Sequence, residues 1–83
     1  MPYIHPSLRP EMNEVVDFMI KKGVAPDGRL SYVLFKLCKK IVQPSYNNYK
    51  NYRAELKECA GEIKRRWMNP YEDKKKKQNG DVI

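Results

Sequence analysis

Residues 46–68 read YNNYKNYRAELKECAGEIKRRWM, and the period of this run decides the fold. At about 100° per residue, Tyr49, Tyr52, Leu56, Cys59, Ala60, Ile63 and Trp67 fall on one stripe. Glu55, Glu58 and Glu62 fall on a second, with Arg65 and Arg66 in i+3 or i+4 reach of Glu62. Lys50, Arg53, Lys57 and Lys64 make a third, on the line of Tyr46 and Gly61. Three stripes of distinct chemistry at the helical period predict one long helix, from Ser45 or Tyr46 to Met68, with Ser45 as its cap.

Two shorter helices precede it. In PEMNEVVDFMIKKG, Pro10 suits a first helical position and Gly23 a C-terminal cap. Met12, Val15, Val16, Met19 and Ile20 repeat as a buried stripe, so a helix is expected over about 10–22. Phe18 lies off that stripe, which makes it the candidate contact for a homodimer or for the C-terminal tail. The second helix, about 29–42, opens after an Asp27-Gly28 turn and stops before Pro44. Its core face is Leu30, Val33, Leu34, Leu37, Cys38 and Ile41; the opposite face is Arg29, Tyr32, Lys36, Lys39 and Lys40. No acidic residue occurs between Arg29 and Val42. The expected fold is all-α: one small three-helix domain over 1–83, in which Leu34, Leu37, Leu56, Ile63 and Trp67 share a core.

The chain has 83 residues, 41% hydrophobic and 33% charged, which fits one small globular domain. Seventeen Lys and Arg against ten Asp and Glu leave a net charge of +7. That imbalance points to an acidic partner, whether nucleic acid, an anionic surface or an acidic protein. Cys38 and Cys59 both fall on apolar faces and are read as buried thiols. Neither belongs to a metal-ligand spacing, so no metal or cofactor is expected. His5 has no nucleophile beside it, and no Gly-rich phosphate loop occurs, so enzymatic activity is not expected. No signal peptide or membrane-spanning run is evident, which makes a cytoplasmic location the expectation and argues against a membrane partner.

The C-terminal stretch 68–83, MNPYEDKKKKQNGDVI, concentrates charge at Lys74, Lys75, Lys76 and Lys77. Together with MPYI at the start and GRLSYVLFKL in the middle, its sequence RRWMNPYEDKKKKQNGDV resembles a small family encoded largely by bacteriophages. Arg65, Arg66, Pro70, Tyr71, Glu72, Asp73, Lys75, Asn79, Gly80, Asp81 and Val82 carry the terminal motif. The resemblance implies an ordered tail docked on the body through Tyr71 and Val82, and no enzymatic activity. Size, charge and lysine content are also similar to those of an inhibitor of the RNase toxin ToxN in phages of the T-even type. That similarity implies RNA and a host RNase toxin as partners.

The function expected is therefore an RNA-binding protein that blunts a host antiviral RNase. Arg29, Lys36, Lys39, Lys40, Lys50, Arg53, Lys57, Lys64 and Lys74 to Lys77 would neutralise phosphates, and Tyr46 would stack on unpaired bases. One rival reading is a module that binds an acidic host protein without nucleic acid. Another is a DNA-binding accessory protein, disfavoured by the acidic stripe of the third helix and by an atypical link between the second and third.

Overall fold

A computed structural model of the chain describes residues 2–82, so Met1 and Ile83, the ends of the expected domain, lie outside it. Every regular element among the described residues is helical. A 3-10 turn, Pro6–Leu8, leads into α1 (Arg9–Lys21), followed by α2 (Gly28–Ile41) and α3 (Tyr46–Ile63). A π turn, Lys64–Met68, then joins α3 to α4 (Asn69–Asn79) without a break in the helix. Two compact groupings emerge, residues 3–52 and 53–82.

Within 3–52, local chemistry sets each helix end. His5 Nδ1 accepts the Ser7 N–H at 3.2 Å and lies 2.8 Å from the Ser7 hydroxyl, capping the 3-10 turn. Pro10 sits in the first turn of α1, where its missing N–H costs nothing. Beyond Lys22, Gly23 takes φ 80°; its N–H donates to Ile20 and that of Val24 to Met19, both at 3.0 Å. This pair of bonds is a Schellman closure, which needs a left-handed residue at that point. Asp27 caps α2 by accepting the Arg29 N–H at 2.8 Å. Ser45 Oγ accepts the Asn48 N–H at 3.0 Å, the expected cap of α3.

Packing in this half is partial. Met19, Val24, Val33, Leu34, Cys38 and Val42 are half-buried. Tyr52, also half-buried, reaches from α3 to donate its hydroxyl proton to the Leu34 carbonyl of α2 at 2.5 Å. Met12, Val15, Val16 and Ile20 of the α1 stripe are exposed, as are Leu30, Leu37 and Ile41 of α2.

Residues 53–82 contain the remainder of α3, the π turn and α4. The proline in this run explains the π turn. In α geometry the Pro70 ring would press on the carbonyl of Arg66, four residues back, and leave it without a donor. Widening the preceding turn relieves that clash, and the Asn69 N–H donates to Lys64, five residues back. The chain thus continues as helix past Pro70, where a stop at Met68 was expected.

Burial differs from expectation in three further respects. No described residue is buried: of the residues expected to form a core, Leu34 is half-buried, and Leu37, Leu56, Ile63 and Trp67 are exposed. With helix running unbroken to Asn79, the segment 53–82 holds no second element of its own to cover Leu56, Ile63 and Trp67. Tyr71 and Val82, the expected anchors of the tail, are both exposed, Val82 at 100%. Nor is Cys59 buried; it is exposed, Cys38 is half-buried, and both thiols are free.

Candidate nucleic-acid interface

The cationic residues divide between the two halves, and each set has its own geometry. In residues 3–52, α2 carries Lys36, Lys39 and Lys40 at i, i+3 and i+4, one face of one helix. Lys39 borders a groove of about 300 Å³ whose other walls are Phe35, Cys38 and Tyr49. Phe35 is 79% exposed, an aromatic ring presented to solvent beside a cation. Tyr46, in the first turn of α3, is 81% exposed, and Lys50 follows it by one helical turn. Two accessible aromatic surfaces with lysines at their margins are what stacking on unpaired bases and contact with their phosphates require.

Arg29 has a different local role. Its guanidinium donates to both Asp27 carboxylate oxygens, the shortest bond being 2.7 Å. The side-chain bonds first, and then the backbone bond from Arg29, hold the Asp27 carboxyl below its ordinary value. The same pairing holds the Arg29 guanidinium above its own. Arg29 is thereby committed to the start of α2, and its charge is largely offset at that point.

In residues 53–82, Arg53, Lys57 and Lys64 keep to one line along the helix, as the sequence period requires. Glu62 holds Arg65 through bonds of 2.7 and 3.3 Å, the expected i+3 pair. Lys74 to Lys77 all lie on α4. Four consecutive helical positions, each turned about 100° from the last, spread around the whole circumference. Only Lys74 and Lys77, three apart, share a face, so the run is a cationic collar rather than a patch. Lys75 Nζ sits 5.6 Å from the centroid of the Tyr71 ring, a cation–π contact that occupies one lysine of the four. Phe18 is exposed as well, with Lys22 Nζ 5.4 Å from its ring centroid.

The sequence pattern does not single out Phe35, and it places Tyr49 on the apolar stripe. The signal for Phe35 was available, since it lies off the α2 core face just as Phe18 lies off that of α1. Among the described residues, no group of three or more His, Cys, Asp or Glu is placed to hold a metal ion. No helix among them is long and apolar enough to cross a membrane.

No curated protein and no solved structure matches the chain. A family profile does match, over residues 1–82: the chain belongs to DUF6899, a domain of unknown function.

Proposed function

We propose that this chain is a small RNA-binding protein of phage origin that antagonises a host RNase toxin of the ToxN kind. The observation that carries the reading is the aromatic groove of Phe35 and Tyr49 with Lys39 at its rim. Lys36 and Lys40 of the same helix share the face of Lys39. An unpaired base stacks in such a groove while the adjoining phosphates meet lysine, and the exposed ring of Tyr46 offers a second platform. Binding of this kind is governed by charge and stacking, with little sequence preference. The net charge of +7 supplies the long-range attraction. Resemblance in size, charge and lysine content to TifA, the ToxN inhibitor of T-even-type phages, supports the choice of target.

The protein would act in the host cytoplasm by holding RNA, and with it the RNA-cleaving toxin, in an unproductive complex. The test is cleavage of a defined RNA by a ToxN-type RNase with and without the purified protein. Inhibition should be lost when Lys36, Lys39 and Lys40 are replaced by Gln. Inhibition that survives both this triple change and removal of non-substrate RNA would show direct binding of an acidic protein surface, and would refute the RNA-based reading.

A further inference from the structure

Tyr32 stands on the cationic face of α2, outside the Phe35–Tyr49 groove, with its ring 66% exposed. Twice elsewhere in the chain an aromatic residue is followed four positions on by a lysine that lies over its ring. Lys22 sits 5.4 Å from the Phe18 centroid, and Lys75 sits 5.6 Å from that of Tyr71. Tyr32–Lys36 and Phe35–Lys39 repeat the spacing on α2, and Tyr46–Lys50 repeats it on α3. Among the described residues, no cation lies over these three rings. Their faces are open to a base, and their lysines keep their charge for phosphate.

The position of Tyr32 beside Phe35 matters as much as its exposure. Tyr32 and Cys38 lie three residues either side of Phe35, each turned about 60° from it in opposite directions around the helix. Cys38 lines the groove and Tyr32 does not, so the Phe35 ring is a wall with the groove on one flank and Tyr32 on the other. Tyr32 and Phe35 are about 4.5 Å apart along the axis and about 7 Å apart at the helix surface. Neighbouring bases in a stacked strand are only about 3.4 Å apart. A base in the groove and the next base on Tyr32 are therefore parted by an aromatic ring and do not stack on each other.

We propose, on the RNA reading of the groove, that Tyr32 is a further stacking platform and that Phe35, wedged between successive bases, makes the site select unstacked, uridine-rich single strands. On an adenine-rich strand each contact with a ring replaces a stack between bases that is already present. On a uridine-rich strand the same contact adds one. Preference then follows from stacking and strand flexibility, without hydrogen bonds to base edges. A duplex keeps its base faces covered and offers nothing to either ring. Charge favours the same face of α2. No acidic residue occurs between Arg29 and Val42, and Asp27, just before, is held by Arg29 at 2.7 Å. Phosphates beside the two bases meet Lys36 and Lys39, one turn beyond each ring.

The test is the affinity of the full chain for oligouridylate, oligoadenylate and an RNA duplex of equal length, each at several salt concentrations. Oligouridylate should bind most tightly and the duplex least. Tyr32→Ala should weaken oligouridylate roughly 5- to 100-fold and erase its advantage over oligoadenylate. The salt slope should not change, since no charge is lost, and Tyr32→Phe, which keeps the ring, should bind as the unaltered protein does. Tyr32 is exposed, so helical content should be the same in all variants. Binding that Phe35→Ala weakens but Tyr32→Ala does not would overturn the platform and leave the RNA reading standing. Oligoadenylate or duplex bound as tightly as oligouridylate would overturn the preference in the same way. An unaltered protein with no affinity for any strand at low salt would overturn the RNA reading itself, and this inference with it.

Discussion

Tyr52 donates its hydroxyl proton to the backbone carbonyl of Leu34 at 2.5 Å, tying the third helix to the second across 18 residues. Burial of the phenol, with a smaller contribution from the charge of Cys38, raises its pKa above the ordinary tyrosine value. A folded-state pKa above the unfolded one means that the neutral phenol is what the fold stabilises. This contribution is full below about pH 10 and is lost as pH rises through the folded value. Tyr52→Phe should cost about 0.5–1.5 kcal/mol at neutral pH and flatten the loss of stability at alkaline pH. Urea unfolding at pH 7 and at pH 10.5 checks both parts.

Gly23 holds the left-handed turn that closes α1, at φ 80°. Gly23→Ala puts a Cβ into that conformation and should destabilise residues 3–52 by about 1–2 kcal/mol. Open space around the position means that the strain is in the backbone alone, the nearest atom being 4.0 Å away on the Arg29 side chain. A drop in thermal midpoint with unchanged low-temperature helicity is the expected result.

Pro70→Ala addresses the π turn. The change restores a backbone N–H and removes the ring from the Arg66 carbonyl, so the turn at Lys64–Met68 should relax to α geometry. Amide exchange of residues 64–71 should slow, and Tyr71 should rotate away from the line of Ile63.

Helix ends were legible because single side chains make them: Pro10, Gly23, Asp27 and Ser45 each do locally what their chemistry dictates. The helix across Pro70 was not legible, since proline normally ends a helix and only a widened turn upstream accommodates it. The resemblance implies an ordered tail, and the lysine run is ordered as helix, but its hydrophilic sequence carries no period from which the length of that helix could be read. Periodicity gives the apolar faces but says nothing of what covers them, and Leu56 and Trp67 are exposed where a core was expected. The candidate groove was half legible. Lys39 was evident from the one-sign face of α2, while Phe35 and Tyr49 meet only through the packing of α2 and α3.

The collar on α4 leads to a measured expectation for the four lysines. Each phosphate contacted on a single strand contributes roughly 0.7 to the slope of log affinity against log salt. Only Lys74 and Lys77 share a face, so replacing Lys74 to Lys77 by Gln should flatten the slope by about 1.4. A change near 3 would mean that RNA wraps the helix; no change would make the run a solvated end.

The most direct test of RNA binding is the salt dependence of affinity for a short unpaired RNA, measured with Lys36, Lys39 and Lys40 intact and replaced by Gln. These three lysines share one face beside the Phe35–Tyr49 groove. The triple change should flatten the slope by about 2 and leave the helical content as it was. An identical slope in the two proteins, or no affinity for RNA at low salt, would contradict the account.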